Sequence, residues 1–202
     1  MSRAGPFVSR AGVKLRHALD TFGISVHGLA CADLGCSTGG FTNCLLQAGA
    51  ARVTAVDTGY GVLDWQLRND PRVCVRERTN VLHAPPPGEG DRVDLVVVDL
   101  GWTAQRLAIP AALRWLKPGP DGRIITLVKP QYEDKPAADE HRGILPDDLA
   151  GKVVERILVE MPALGVRVLA TTPSPVRGSG GKTEGRGNLE WLVLLEPATP
   201  VG

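Results

Sequence analysis

Seven short apolar runs recur along the chain, at residues 29–34, 52–56, 73–75, 93–100, 124–128, 166–170 and 189–195. Longer segments with helical periodicity separate most of them, so strands and helices should alternate around a mostly parallel sheet. The runs 93–100 and 124–128 are apolar on successive residues instead of alternate ones, which places them mid-sheet with both faces covered. Residues 39–48, 103–116 and 147–164 read as helices. In the last, Leu149, Val153, Ile157, Met161 and Leu164 fall three or four apart, with Asp147 placed to cap the start and Gly165 to end it. A further helix over 9–22 precedes the first strand, with Ser9 as cap, Leu15, Leu19 and Phe22 on one stripe, and Gly23 after its end.

The length of 202 residues points to one domain, 1–202, with a helical extension over 1–28. Charged residues make up 22% and apolar ones 43%, which fits a packed globular chain and excludes disorder. The 23 Lys and Arg against 22 Asp and Glu give a net charge of +1, so any polyanion must be met by a local patch. No run approaches the ~20 apolar residues of a membrane span, and the N-terminus has no apolar core of a secretory signal. A cytoplasmic location without membrane attachment is the expectation. Cys31, Cys36, Cys44 and Cys74 lack C-x-x-C spacing and read as small buried thiols, so no metal site is expected.

The stretch Cys31-Ala-Asp-Leu-Gly-Cys-Ser-Thr-Gly-Gly40 has the form of a strand that ends in a glycine turn and opens a helix. Such a turn lies at the carboxyl end of a parallel sheet, where ligands bind. Asp57 ends the next strand, where a carboxylate can accept both ribose hydroxyls of an adenosine. A dinucleotide fingerprint needs glycine where Ser37 stands, counted from Gly35, so S-adenosylmethionine (AdoMet) fits better than a pyrophosphate. An ordinary strand–helix turn is the plain alternative. The segment Gly178-Ser-Gly-Gly-Lys-Thr183 is no phosphate loop, because Val176 stands where the first glycine is required.

Two opposite charges close adjacent apolar runs, Asp99 after 93–98 and Lys129 after 124–128. Their burial would need mutual pairing or a functional reason. Glu190 opens the last run beside Asn188, and Lys14 adjoins the core-facing Leu15.

Ser9-Arg-Ala-Gly-Val-Lys-Leu15, Asp33-Leu-Gly-Cys-Ser-Thr-Gly-Gly-Phe41, Ala55-Val-Asp-Thr-Gly-Tyr-Gly61, Asp70-Pro-Arg-Val73, Glu77-Arg-Thr-Asn80, Leu127-Val-Lys-Pro-Gln131 and Gly187-Asn-Leu-Glu190 occur in this order. Together they resemble the haemolysin-A-like (TlyA-type) ribosomal RNA methyltransferases of the FtsJ-like 2′-O-methyltransferase group. The resemblance runs from about Phe7 to Leu195. It implies a Rossmann-like AdoMet-dependent methyltransferase, with a mostly parallel seven-stranded sheet, helices on both faces and an antiparallel last strand. It places the group's Lys-Asp-Lys-Glu tetrad on Lys14, Asp99, Lys129 and Glu190. It also places Gly35, Gly39 and Phe41 around the methionine end of AdoMet, Asp57 on its ribose and Asn80 near its adenine, with Asp99 touching both cofactor and chemistry; Ser37, in the same turn, is a further expected cofactor contact.

The chain departs from the family at Asp99-Leu-Gly-Trp102, where Asp-Val-Ser-Phe is usual, and the family's N-terminal S4-like RNA-binding domain is expected to be missing. The implied reaction is methyl transfer to a ribose 2′-hydroxyl of ribosomal RNA. In it Lys129 either takes the hydroxyl proton or stays charged and steers the oxygen, with Asp99, Lys14 and Glu190 completing the network. RNA phosphates would meet Arg10 and Arg16 on one side and Arg177, Lys182 and Arg186 of a mobile basic loop, 174–188, on the other, with Trp102 as a stacking surface. A small-molecule O-methyltransferase and a non-catalytic RNA-binding or membrane-active protein are the other readings. The sequence leaves the oligomeric state open.

Overall fold

The computed structural model describes residues 5–85, 87–178 and 187–198. Its strands are β1 Ala30–Leu34, β2 Arg52–Val56, β3 Val73–Arg76, β4 Leu95–Val98, β5 Arg123–Val128, β6 Val166–Pro173 and β7 Trp191–Pro197. They form one sheet in the order β3-β2-β1-β4-β5-β7-β6. The first five are parallel, and β7 runs antiparallel to both β5 and β6. This is the fold class the resemblance implies.

Side-chain alternation sends successive strand residues to opposite faces. Cys31, Val53, Ala55, Leu95, Val97, Ile125, Leu127, Leu192 and Leu194 share a core with Leu15 and Leu19 of α1 (Ala11–Phe22) and Phe41 and Leu45 of α2 (Gly40–Gln47). Their neighbours Ala32, Leu34, Val56, Val96, Val98, Ile124, Val128, Val193 and Leu195 form the other core. Between α2 and that core's helices comes the short α3, Trp65–Arg68. The second core is closed by Ile109 and Ala112 of α4 (Gln105–Leu113), and further along by Val153 and Ile157 of α7 (Asp147–Glu160). The short helices α5 (Pro130–Glu133) and α6 (Lys135–Glu140) lie between β5 and α7 in sequence. Both faces of β4 are buried, which is why its run reads as uninterrupted valine and leucine.

Several sequence expectations need correction. Ser9 does not cap α1: the N-cap position is Arg10, in helical geometry and with no side-chain capping bond to the helix start. A Cβ on Gly40 would overlap the Ser9 hydroxyl, so Ser9 is committed to the α1–α2 contact. Asp147 is the first residue of α7, after the N-cap Pro146, and its carboxylate is bound to Arg177. Val93 stands outside β4 and pairs with Leu116 in an isolated bridge, so the helix expected over 103–116 shortens to α4. Cys31, Cys36 and Cys44 are buried, but Cys74 is exposed, because β3 is an edge strand.

The chain reverses direction across the sheet between β1 and β4. The C-terminal ends of these two strands form the topological switch point of an open sheet. Gly35 follows one and Asp99 the other. They approach so closely that a Cβ on Gly35 (φ +88°) would lie 2.5 Å from the Asp99 carbonyl oxygen. Only glycine combines that backbone angle with that approach. Gly35→Ala should therefore lower thermal stability and weaken binding of the AdoMet that the resemblance implies, which calorimetry on the two chains would check.

Candidate active site

The turn after β1 is shaped by its own backbone. The Gly35 and Cys36 N–H groups donate to the Val56 carbonyl, and Ser37 takes a left-handed φ of 48°. Asp57 holds this turn from the end of β2: Oδ2 accepts from the Ser37 N–H at 2.8 Å and Oδ1 from the Gly59 N–H at 2.7 Å. Each oxygen keeps a second lone pair. The loop behind Asp57 hangs on Glu77, whose carboxylate accepts from the N–H groups of Gly61, Val62 and Leu63 and pairs with Arg68.

Four charges from distant parts of the chain meet beside this turn. Lys14, on α1, pairs with Glu190, just before β7, at 2.5 Å, and the two residues are 8% and 2% exposed. Lys129, just past β5, pairs with Asp99, just past β4, also at 2.5 Å. Lys129 also donates to the Leu100 carbonyl and lies 5.8 Å from the Tyr132 ring centre. Burial works to lower the Lys129 pKa, but the charge and hydrogen bond of Asp99, with smaller pushes from Glu190 and Tyr132, hold it above the usual lysine value. Lys129 is therefore an ammonium in the free protein.

The cavity at the sheet edge has two lobes. One, of about 400 Å³, is lined by all four of these residues, with Asp33, Phe41, Arg10 and Arg177 among its other walls. The other, of about 380 Å³, is lined by Asp57, Asn80, Leu82, Thr79 and Trp102. Gly35, Ser37 and Asp99 line both, so the lobes adjoin at the switch point.

The profile of the FtsJ-like methyltransferase family matches residues 7–184. The chain belongs to this family. It is 42% identical over 194 residues to the 16S/23S rRNA (cytidine-2′-O)-methyltransferase TlyA of Mycobacterium tuberculosis, covering 96% of this chain and 69% of that protein. Hemolysin A of Brachyspira hyodysenteriae is 36% identical over 93% of this chain and 75% of its own. The solved structure of a Streptococcus thermophilus protein, provisionally named a hemolysin, superposes with a TM-score of 0.85 at 35% identity, over 98% of this chain and 70% of that one.

As an FtsJ-like methyltransferase the protein takes its methyl group from AdoMet, and the cavity suits that molecule. Asp33 is fully buried, Oδ2 accepts from the Thr42 backbone and hydroxyl, and Oδ1 has no hydrogen-bond partner. Gln131, in the same lobe, likewise has a buried Oε1 without a partner. Buried acceptors without donors are rare and costly, and an amino-acid ammonium can satisfy them. Gly35 and Ser37 border both lobes, and Asp57 offers a carboxylate in the second.

The FtsJ-like frame brings most of the expected residues together. Lys14, Gly35, Ser37, Phe41, Asp57, Asn80, Asp99, Lys129 and Glu190 all line the cavity, as do Arg10, Trp102 and Arg177. Two do not. Gly39 (φ +99°) is the N-cap of α2 and packs under Leu63 and Leu67, so it shapes the turn from behind. Arg16 points along α1 to Asp20 at 3.6 Å. Arg177 is reached by the cavity but makes a two-pronged salt bridge to Asp147, so its charge is already matched. Lys182 and Arg186 lie outside the described residues. Asp33, Gln131, Tyr132 and Gly178 line the cavity without having been singled out by sequence reasoning. The first two stand inside quoted motif blocks, and Tyr132 directly follows one.

Two of these carry predictions. A Cβ on Gly178 would overlap Glu190 Oε1, so Gly178→Ala should push Glu190 off Lys14, cost about 1–3 kcal/mol in denaturant titrations and reduce turnover. Burial pushes the Asp33 carboxyl up from 3.8 to about 7, against the pull of its Thr42 hydrogen bonds. The folded state thus holds a proton that the unfolded chain releases. Asp33's contribution to stability is complete below the unfolded value and is lost as pH rises through about 7. Stability of the free protein should fall across that window, and Asp33→Asn should flatten the fall.

Proposed function

We propose that this chain methylates a ribose 2′-hydroxyl of ribosomal RNA in the cytoplasm. The observation that carries the reading is the gathering of Lys14, Asp99, Lys129 and Glu190 around one lobe that adjoins the Asp57 lobe at Gly35, Ser37 and Asp99. The name and 42% identity of the Mycobacterium tuberculosis TlyA support both the substrate class and the atom modified. Among the described residues no helix is long and apolar enough to cross a membrane.

AdoMet, when bound, supplies an electrophilic methyl on a sulfonium sulfur. Gly35, Ser37 and Phe41, with Asp33 behind them, hold its amino-acid end; Gly39 keeps their turn in shape. Asp57 would take its ribose hydroxyls and Asn80 would border its adenine in the second lobe. This leaves the chain's own residues to bring in and orient a poor nucleophile. Lys129, an ammonium, donates an N–H to the 2′-oxygen and turns a lone pair towards the methyl. Asp99 fixes Lys129 and is the carboxylate nearest to receive the hydroxyl proton. Lys14 and Glu190 close the far wall, and Glu190 adds to the field that keeps Lys129 charged. If Lys129 acts in this form, the rate should stay level as pH rises from neutral through the usual lysine range, because Asp99 holds Lys129 charged beyond it. A rate that climbs from neutral pH would mean that Lys129 must first lose its proton.

RNA reaches this wall past Arg10 and the exposed Trp102 ring, with Arg16 and Arg177 supplying phosphate contacts once they exchange Asp20 and Asp147 for the backbone. Labelled AdoMet given with naked RNA and with each ribosomal subunit tests the reading. Ribose methylation that RNA competes away and added salt weakens supports it. Transfer only to small molecules overturns it.

A further inference from the structure

A buried polar network lies behind the site and takes no part in the account so far. Gln105, the first residue of α4, is 3% exposed. Its Nε2 donates to the Leu127 carbonyl at 3.2 Å, and its Oε1 accepts from the Thr126 hydroxyl at 2.8 Å. Its backbone N–H donates to Glu133 Oε1 at 2.9 Å. That N–H is one of the helix-start donors with no partner inside the helix. Thr126 and Leu127 are on β5 before Lys129, and Glu133 ends α5 just after it. Gln105 therefore ties the segment leaving β4 to both sides of Lys129.

That segment is strained. Trp102, between Asp99 and Gln105, has a left-handed φ of 59°, a backbone conformation unfavourable for a bulky side chain. Such a conformation persists only where its flanks fix it. Asp99 is held on one flank by Lys129, and Gln105 is held on the other by three hydrogen bonds. The strained turn sets the Trp102 ring 5.0 Å from Tyr132, the neighbour of Glu133. One stretch of chain thus joins the Asp99–Lys129 pair, the aromatic pair and the network.

We propose that Gln105 and Glu133 form a clamp that fixes the separation between the Asp99–Trp102 segment and the Lys129–Tyr132 segment, and so the width of the slot through which the target ribose reaches Lys129. Neither residue touches the reacting atoms: both are positioning residues. The inference rests on the RNA methyl-transfer reading above. A small misplacement at a reacting centre can cost about 10²-fold in rate. Loosening the clamp should therefore lower turnover on RNA far more than it weakens AdoMet binding, because Asp99 and Trp102 are only part of the wall of the Asp57 lobe and Asp57, Thr79 and Asn80 are not held by the clamp.

The test compares Gln105→Ala, Glu133→Ala and Glu133→Gln, reading kcat and KM for ribosomal RNA and, separately, AdoMet affinity of the free protein by calorimetry. Both alanine variants should lose about 10–100-fold in kcat with a much smaller change in AdoMet affinity. Glu133→Gln should stay near wild type, because an amide oxygen still accepts the Gln105 N–H. The clamp is overturned if the alanine variants turn over normally, if AdoMet affinity falls in step with kcat, or if the two Glu133 variants behave alike. Should Gln105→Ala fail to fold, the Glu133 pair decides alone. A wild-type chain that binds AdoMet but methylates no RNA overturns the parent reading, and the clamp falls with it.

Discussion

Lys129→Met should reduce ribose methylation by about 10³-fold while the protein still binds AdoMet. Methionine keeps the length and the apolar stem, so the change removes the charge and little else. Asp99 then loses the partner that holds it at 2.5 Å, and the 2′-oxygen loses its donor. Lys129→Arg should not restore the rate. A planar guanidinium with fixed donor directions cannot take the place of a compact ammonium between Asp99, the Leu100 carbonyl and the Tyr132 ring. Single-turnover rates with saturating AdoMet and RNA would read the loss directly. A Lys129→Ala or Lys129→Met chain that methylates at the wild-type rate would remove Lys129 from the chemistry in either of its roles.

Lys14→Met should destabilise the folded chain by about 3–5 kcal/mol, the usual consequence of stripping one partner from a buried ion pair. Glu190 is only 2% exposed, so its carboxylate would lose the ion-pair partner it touches and keep only the field of Lys129 across the cavity. For a chain of this size each kcal/mol corresponds to about 2–4 °C in Tm, and the drop should be plain in thermal scans. The double variant Lys14→Met, Glu190→Leu should recover most of that loss, because the buried charge has gone with its partner. Recovered stability without recovered activity would separate the packing role of the pair from its role in the reaction. A single variant as stable as wild type would mean that the pair is not buried in solution.

The strands were legible because burial on both faces leaves an unbroken apolar run, as at Leu95–Val98. Where only one neighbour exists the signal weakens: β6 is an edge strand that extends through Thr171, Thr172 and Pro173, beyond the apolar residues that marked it. Ser9 reads as a helix cap from local chemistry, yet the contact between Gly12 on α1 and Gly40 on α2 brings the two helices together and takes its hydroxyl.

Asp99 and Lys129 stood out as charges that end apolar runs in adjacent strands. Glu190, opening the last run, and Lys14, beside Leu15, were marked singly, but not as a pair, since they are 176 positions apart and meet only through packing of α1 on the sheet. Gln105 and Glu133 were invisible for another reason. Polar residues at the ends of short helices read as solvated, and only the fold reveals that Thr126 and Leu127 stand behind them.

The atom of the RNA that receives the methyl group separates a ribose methyltransferase from a base methyltransferase. Alkaline hydrolysis cuts RNA through attack of each 2′-hydroxyl on its own phosphate, so a ribose methylated there resists cleavage. Ribosomal RNA incubated with the protein and AdoMet should show a missing rung in the alkaline ladder at one labelled nucleotide, absent with Lys129→Met. A complete ladder that carries the label on a base would contradict the central claim.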